Sequence, residues 1–485
     1  MSLDICLFIS DQHSYSIQGN TGNPIIRTPN LDYLASQGVS FHNTYTSCPL
    51  CVPARMSMLS GKLASQINVM GNGSILDSSR PTFLHSLNAA GYETVLCGRM
   101  HFVGPDQRHG YSKRIAGDIT PIYTNRPEIA LKKERGVHMN TLTGGANSVS
   151  IIGAGNSPSL EYDRYVIKNA LDYLSHNHEK PQFITVGTYS PHHPYVTPRE
   201  LFDYYYEKLD GESGSKSLPS FYSNLFQDTD PKVVRAVRAA YYGMVEFTDN
   251  EIGLVYNAFQ AYLERVGREG IFIYVSDHGD HIGSRGLYGK QTFYEESSHI
   301  PLIFTGSGIL KGKKVMGATS IMDIGPTLCS LVAAPLLTDY DGKSLVLEIT
   351  TNYVDKERCV ISELGGTLNK NGDVQYAQMV KKGRLKYVHY KGLDEDAVYN
   401  TDINETDNLI TSYPDFVEKA KALLSEKCAT VDEIEKNAQR NASYLAITSK
   451  CDFDSEERWR CPKSAREYPE KMVSSAITPK EVLFY

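Results

Sequence analysis

The sequence lacks the features typical of membrane proteins and of general nucleic-acid-binding proteins. Among its 485 residues no apolar run approaches the roughly 18–20 residues of a membrane span. No long run of Lys and Arg occurs, and the formal net charge is −7. An acidic chain of this kind does not offer a phosphate backbone a favourable surface. We therefore expect neither a membrane nor a nucleic acid as a partner.

Cysteine and tryptophan are also scarce. Trp459 is the one tryptophan, against 32 tyrosines, and the nine cysteines are an odd number spread thinly along the chain. This usage does not resemble a disulfide-rich secreted scaffold. Three cysteines lie in apolar runs, where cysteine is usually an inert small core residue: Cys6, Cys97 and Cys329. A disulfide between Cys451 and Cys461 in the polar tail is kept as an alternative.

The start of the chain has no charged segment followed by an apolar signal-peptide core. Instead, its first apolar residues are predicted to form a core strand. We predict a cytoplasmic protein, or a periplasmic or secreted one if a leader has been removed.

Up to about residue 350, short apolar runs alternate with helical patterns. Strands are predicted at residues 5–9, 92–97, 183–186, 271–275 and 301–304, and helices at residues 28–38 and 81–90. The strand segments are continuously hydrophobic, which is typical of strands covered on both faces. The sequence therefore predicts an α/β fold with a large, mostly parallel sheet between helices.

The pattern of predicted secondary structure changes beyond Gly342. Short strands are predicted at residues 359–363, 377–380, 385–389 and 397–400, with a hairpin turn at Lys382-Gly383, and a helix at residues 415–427. We therefore predict a large domain over residues 1–350. Residues 351–485 are predicted to form a smaller C-terminal α+β subdomain, a short antiparallel sheet plus helix, and a polar tail.

Polar side chains follow four of the predicted strands where each strand ends. These are Asp11 and Gln12, then Arg99 and His101, then His192 and His193, and finally Asp277 and His278. In an open α/β sheet, ligands bind outside the carboxyl ends of the strands. Carboxylates, imidazoles and a guanidinium at one edge predict a metal-assisted site for an anionic group.

The most specific motif is Cys51-Val52-Pro53-Ala54-Arg55, followed by a short helical stretch that Gly61 closes. Pro53 suits the first turn of a helix, so Cys51 is predicted at or beside a helix N-terminus, where the dipole favours an anion. The alternative is a Cys48–Cys51 redox or zinc pair, although the sequence has no second pair at zinc spacing.

Together these motifs resemble the type I sulfatases of the alkaline phosphatase superfamily, most closely the choline-sulfatase-like and phosphonate monoester hydrolase branch. The resemblance runs from residue 3 to about 410. The segments that carry it are residues 10–12, 28–32, 48–61, 98–107, 191–195, 241–243, 276–290, 323–327 and 398–409. The resemblance implies an alkaline phosphatase-like fold, a catalytic domain over residues 1–350 and a sulfuric ester hydrolase.

The resemblance also implies that a formylglycine-generating maturation enzyme converts Cys51 to formylglycine. One hydroxyl of the aldehyde hydrate would attack sulfur. The other, once deprotonated, would expel sulfate by restoring the aldehyde. The implied substrate is a small-molecule or saccharide sulfate ester.

The implied metal ligands are Asp11, Gln12, Asp277 and His278, with an oxygen of modified Cys51 completing the shell. Carboxylates and an amide suit a hard cation, and the family implies Ca²⁺. An imidazole in the set would also admit Mn²⁺ or Zn²⁺.

For sulfate chemistry the resemblance implies five further side chains. Arg55 would hold the diol and His101 would accept its proton, while Arg99, His192 and Lys290 would bind the sulfate group. Arg99 stands where the family usually has Lys. A guanidinium can clamp a sulfonate bidentately but does not readily give up a proton. Proton donation to the leaving alkoxide is therefore expected from His192 or Lys290.

Two alternative functions stay open. One is a formylglycine-dependent phosphonate monoesterase or phosphodiesterase, and the other is a silent binding protein in which Cys51 stays unmodified. The alcohol part of the substrate is expected to be a carbohydrate or a small alcohol such as choline, with a slight preference for carbohydrate. Tyrosines would have to supply an aromatic cage for choline, and residues 140–160 are predicted to form a loop that borders the pocket or serves as a linker.

Overall fold

The computed structural model describes residues 3–120, 149, 151–214, 218–368, 372–403, 405–448 and 473–476. The strands are β1 (Leu3–Ser10), β2 (Gly38–Phe41), β3 (Thr44–Tyr45), β4 (Glu93–Gly98), β5 (Lys113–Ala116), β6 (Ile152–Gly155), β7 (Gln182–Gly187), β8 (Tyr195–Thr197), β9 (Glu269–Ser276), β10 (Leu302–Gly306), β11 (Lys313–Val315), β12 (Thr319–Ser320), β13 (Cys359–Leu368), β14 (Val374–Lys382), β15 (Leu385–Tyr390), β16 (Ala397–Asn400) and β17 (Val473–Ala476). The helices are α1 (Pro29–Gln37), α2 (Cys51–Ser60), α3 (Phe83–Ala89), α4 (Pro158–Leu174), α5 (Arg199–Lys208), α6 (Pro231–Val266), α7 (Glu295–Ser298), α8 (Ile324–Leu331), α9 (Val346–Thr350), α10 (Pro414–Lys427) and α11 (Val431–Thr448).

The main sheet has eight strands in the order β11-β2-β10-β9-β1-β7-β4-β5. Only β10 runs antiparallel to its neighbours within this sheet; the other pairings are parallel. The α/β class and the mostly parallel sheet are confirmed. All the predicted strands and helices of this part are present, with ends that differ by a few residues.

The central strand β1 is hydrophobic at successive positions because both of its faces are buried. Ile5, Leu7 and Ile9 belong to one hydrophobic cluster, whereas Cys6 and Phe8 belong to another. Helices α2, α3 and α8 contribute to the first cluster, and α4 and α6 to the second. Both faces of the strand are therefore buried under helices, as continuous hydrophobicity predicts.

The C-terminal part is a four-stranded antiparallel sheet in the order β13-β14-β15-β16. The predicted hairpin turn lies between β14 and β15, where Gly383 has a φ of +52°. Helix α10 contributes to the same hydrophobic cluster as the sheet, and α11 occupies the first part of the predicted polar tail. The boundary at residue 350 stays a prediction, and the Cys451–Cys461 pair lies outside the described residues.

The prediction of a loop over residues 140–160 is wrong for its second half. Residues Ile152–Gly155 form β6, which pairs with β8 and β17, and α4 begins at Pro158. Ser157 caps this helix by accepting a hydrogen bond from the backbone N–H of Leu160. The small residues of this segment thus form a β-strand and the N-terminal cap of a helix. Residues 140–148 and 150 lie outside the described part of the chain.

In the described parts of the chain, no helix combines the length and the apolar character needed to cross a membrane.

Candidate active site

The pairing of β1 with β9 brings the first two acidic residues of the site together. The parallel register aligns Ser10 with Ser276, so Asp11 and Asp277 leave the sheet side by side. Strands β4 and β7 end at the same edge and lead to Arg99 and His192. The four strand ends that the sequence singled out therefore converge, as expected for an open α/β sheet.

Gln12 turns the chain away from β1 with an unusual backbone conformation. Its φ is +73°, in the left-handed region that non-glycine residues rarely adopt. The backbone N–H of Gln12 donates to Asp277 Oδ1 at 3.0 Å, and its carbonyl accepts from the Tyr241 hydroxyl at 2.6 Å. These two bonds hold the strained residue in place, a pattern typical of functional sites.

Helix α2 begins at Cys51 and carries the side chain into the site. The backbone N–H of Val52 donates to Asn72 Oδ1 at 3.0 Å, which caps the helix from a neighbouring loop. Cys51 is buried, and its Sγ lies 3.1 Å from His278 Nε2 and 3.7 Å from Asp11 Oδ1. The prediction of Cys51 at a helix N-terminus is confirmed.

The electrostatics at Cys51 favour a negative charge. Burial raises the pKa of the Cys51 thiol, but Lys290 and His278 outweigh burial. Together with the imidazoles of His101 and His192 they hold that pKa well below its ordinary value. A lysine ammonium and several imidazoles therefore lie around the position where an anionic group would be bound.

Four buried side chains form a cluster that could hold a metal ion: Asp11, Cys51, Asp277 and His278. One ligand atom from each lies within 4.8 Å of the others. His278 Nδ1 donates to the Gly279 carbonyl at 3.1 Å, which leaves Nε2 for a metal, an orientation typical of metal-binding histidines. Cys48 is not part of this cluster, which counts against the Cys48–Cys51 pair.

Gln12 is oriented by a carboxylate that the sequence analysis did not assign. Its Nε2 donates to Asp280 Oδ2 at 2.5 Å, and its Oε1 accepts from Lys290 Nζ at 2.6 Å. Asp280 also accepts from the Tyr195 hydroxyl and from the backbone N–H groups of Ile282 and Gly289. The amide oxygen of Gln12 thus faces the site because Asp280 holds the nitrogen on the other side.

Arg55 ties the helix to both aspartates. Its Nε donates to Asp277 Oδ2 at 2.7 Å and its terminal nitrogen donates to Asp11 Oδ2 at 3.2 Å. The whole side chain is buried. In this arrangement Arg55 neutralises the carboxylates that would otherwise repel one another.

Arg99 is buried, and its N–H groups donate hydrogen bonds to other side chains of the protein. Nε donates to Asp11 at 2.6 Å, one terminal nitrogen donates to Asp118 and Thr120, and the other donates to His101 Nδ1 at 2.8 Å. Because His101 Nδ1 accepts this bond, the neutral ring carries its proton on Nε2. Burial and the neighbouring Arg99 lower the pKa of His101, which favours the neutral ring.

Lys290 and His192 form a second pair in direct contact. Lys290 Nζ donates to His192 Nε2 at 2.7 Å, and His192 Nδ1 donates to the His193 carbonyl at 2.8 Å. Burial, followed by the charge of Lys290, lowers the pKa of His192. In this contact Lys290 is therefore the donor, and His192 is the neutral acceptor beside it.

Two carboxylates at the site were missed from the sequence, Asp280 and Asp118. Asp280 lies within the quoted motif at residues 276–290, so its position was visible but its function was not. Asp118 follows β5, a strand whose residues Lys113–Ala116 are too polar to be recognised as a strand. It accepts from the His101 backbone N–H at 2.9 Å and holds Arg99.

Comparison with known proteins identifies the family. The Sulfatase family model matches residues 4–334. The chain belongs to the sulfatase family. A choline-sulfatase of Rhizobium meliloti is 32% identical over 430 residues, which cover 82% of this chain and 80% of that protein. An arylsulfatase of Clostridium perfringens is 25% identical over 450 residues, covering 85% and 91% of the two chains.

Solved structures show the same fold for this sulfatase. The phosphonate monoester hydrolase of Agrobacterium radiobacter superposes with a TM-score of 0.68 at 21% identity, covering 87% of this chain and 95% of that chain. A 2-O GAG sulfatase gives a TM-score of 0.65 at 22% identity, with 97% and 98% covered. The alkaline phosphatase-like sulfatase fold is confirmed, and the protein is a hydrolase that acts on sulfuric esters.

Proposed function

We propose that this sulfatase hydrolyses the sulfate ester of a carbohydrate or of a small alcohol such as choline, using formylglycine made from Cys51 by a maturation enzyme. The observation that carries the proposal is the contact of Cys51 Sγ with Asp11 and His278, close enough to Lys290 for its charge to lower the pKa of Cys51. A hydrated formylglycine at this position would supply the nucleophile.

We propose Ca²⁺ as the metal, held by Asp11, Gln12, Asp277 and His278 together with residue 51. The donor set supports a divalent cation: two carboxylates, an amide oxygen turned inward by Asp280, and an imidazole whose other nitrogen is fixed. When bound, the ion would polarise the sulfate group and stabilise negative charge there. The imidazole keeps Mn²⁺ and Zn²⁺ as alternatives.

The remaining polar side chains divide into two groups. Arg55, Arg99 and His101 adjoin the carboxylates and residue 51, so we assign them to holding and orienting the nucleophile. Because Arg99 occupies His101 Nδ1, His101 would first donate a hydrogen bond to residue 51 through Nε2. Lys290 and His192 contact each other near residue 51, and we assign them to the sulfate group and to protonation of the leaving oxygen.

A phosphonate monoesterase or phosphodiesterase is the second candidate. It is supported by the structural similarity to the phosphonate monoester hydrolase, although that similarity by itself concerns the fold. The same nucleophile and metal would act on a different tetrahedral anion.

Two measurements test the proposal. Intact-protein mass spectrometry, after co-expression with a formylglycine-generating enzyme, should show conversion of Cys51, with Cys51→Ser as the control that cannot be converted in the same way. Steady-state rates should then be higher on an aryl sulfate than on an aryl phosphonate. A thiol that persists would support a silent binding protein, and a preference for the phosphonate would favour the second candidate.

A further inference from the structure

His193 is a buried side chain whose polar atoms are not used by the contacts described so far. It is 1% exposed, and neither ring nitrogen has a hydrogen-bond partner among the described residues. Its ring lies against that of His192, with centroids 4.0 Å apart. A buried polar group without a partner is costly, so one that persists beside a reacting centre indicates a missing partner.

The surroundings of His193 define the chemistry of that partner. Burial holds the pKa of His193 well below its ordinary value, and His192 and Lys290 lower it further, so the ring is neutral. A neutral imidazole offers one N–H donor and one acceptor nitrogen. A hydroxyl group, which also donates and accepts, matches this pair.

A trimethylammonium group, as in choline, does not match the donor and acceptor of the His193 ring. Such a group has neither a hydrogen-bond donor nor an acceptor, and the nearby Lys290 ammonium would repel its positive charge. Recognition of a quaternary ammonium would require aromatic faces instead. The part of the site around His192 and His193 therefore suits a hydroxylated alcohol better than choline.

We propose that His193 is a specificity residue that binds a hydroxyl of the substrate alcohol close to the ester oxygen, and that the substrate is accordingly a saccharide-type sulfate ester. This inference rests on the proposed function and narrows its substrate class. The position next to His192, which faces the ester oxygen in our assignment, places the recognised hydroxyl on a carbon near the sulfated one.

The test compares kcat/KM for the formylglycine-bearing wild type, His193→Leu and His193→Asn. The probes are glucose 3-sulfate and glucose 6-sulfate, choline sulfate and nitrophenyl sulfate. His193→Leu should lower the ratio of glucose sulfate to choline sulfate kcat/KM by about tenfold, the effect of one hydrogen bond. His193→Asn, which keeps a donor and an acceptor, should restore part of that ratio and supplies the comparison if the leucine variant does not fold.

His109→Leu is the matched control. Like His193, His109 is buried and has no hydrogen-bond partner for either ring nitrogen in the part of the chain that the structure describes, although its Nδ1 lies 3.3 Å from Asp106 and its ring packs on Phe102. Because the proposal gives it no contact with the substrate, its loss should leave the substrate ratio unchanged. Equal losses on all substrates for His193→Leu would make His193 structural and overturn the proposal. Turnover of choline sulfate without any turnover of either glucose sulfate by the wild type would overturn it as well. An inactive wild type on nitrophenyl sulfate would instead contradict the underlying sulfatase mechanism.

Discussion

Arg99 illustrates how a single residue serves several neighbours in this site. A guanidinium has five N–H donors, and four are directed to Asp11, Asp118, Thr120 and His101. One N–H is left for a sulfate oxygen, whereas a bidentate clamp needs two. The clamp function predicted from the sequence therefore stays a prediction that these bonds do not favour, and orientation of His101 is the better supported function.

We expect Arg99→Lys to retain measurable turnover but with kcat reduced by at least about tenfold. An ammonium cannot reproduce the planar fork, and each lost hydrogen bond to a charged group costs about 1.5–3 kcal/mol. Steady-state kinetics on nitrophenyl sulfate, together with a melting temperature, would measure this. Arg114→Lys is the control, because the half-buried Arg114 makes its shortest hydrogen bond to Gln107 Oε1 at 2.9 Å. A similar kcat loss in both variants would remove the specific function of Arg99.

We expect His192→Ala to slow alkyl sulfates much more than nitrophenyl sulfate. Help from a general acid matters most when the leaving alkoxide is basic, and His192 holds the Lys290 ammonium that would supply the proton. The contact between His192 and Lys290 means that Lys290→Met should show the same substrate dependence if the two residues act as a pair. Rates of both variants on one alkyl and one aryl sulfate decide this. Equal losses of His192→Ala on both substrates would leave Lys290 as the acid.

At the level of elements, helix α2 is the part that the site depends on most. It presents Cys51 in its first turn and Arg55 one turn later, and every residue from Cys51 to Ser60 is buried. The helix ends at Gly61, whose φ of +68° places it in the left-handed region. The ring of Tyr340 packs directly on Gly61, so a Cβ there would lie 2.0 Å from Tyr340 Cδ1.

We expect Gly61→Ala to destabilise the protein more than Gly267→Ala. Both glycines end helices with nearly equal φ values, +68° and +65°, but a Cβ at Gly267 would have nothing within 4 Å. The left-handed conformation costs roughly 1–2 kcal/mol in both variants, and overpacking against Tyr340 should add about 1–3 kcal/mol at Gly61 only. Urea unfolding of the two variants measures the difference. Equal unfolding midpoints would show that the Tyr340 ring moves aside without cost.

At the scale of the whole molecule, the C-terminal sheet is joined to the catalytic part through buried polar contacts. Glu363 in β13 binds both flanks of α2: its N–H donates to the Ser47 carbonyl, and its carboxylate accepts from the Ser65 N–H, each at 2.9 Å. Lys386 in β15 is buried and pairs with Glu295 at 2.5 Å and with Glu405 at 2.6 Å. Glu295 begins α7, a few residues after Lys290.

We expect Lys386→Met to lower the free energy of unfolding by about 3–5 kcal/mol, because Glu405 would stay buried without its cation and the partly exposed Glu295 would lose one of its partners. We also expect kcat to fall, since the Lys290 segment leads into α7. Lys382→Met is the control from the same sheet. Its pair with Glu357 is solvent-exposed and should contribute little. Thermal unfolding and steady-state kinetics test both points. An unchanged unfolding free energy and kcat for Lys386→Met would show that the ion pairs of Lys386 do not couple the C-terminal sheet to the catalytic part.

The sequence by itself determined the α/β class, the strands that end in polar residues and the helix that begins at Cys51. Each follows from local information: continuous apolar runs, a proline in a first turn and glycine at a helix end. It also determined that Asp11, Arg99, His192 and Asp277 share one edge, because parallel strands all present their carboxyl ends on the same side.

Only the tertiary structure decided how these side chains pair. Asp11 holds Arg99, which in turn binds the neighbouring His101, and Asp280 turns the Gln12 amide. Both carboxylates lie far from their partners in the chain. His193 has no hydrogen-bond partner for its ring among the described residues. The polar strand β5 and the small-residue strand β6 gave no clear hydrophobic pattern, since their stability comes from the neighbouring strands. Periodicity reports which face of an element is buried, whereas hydrogen-bond partners depend on the register and packing of distant elements.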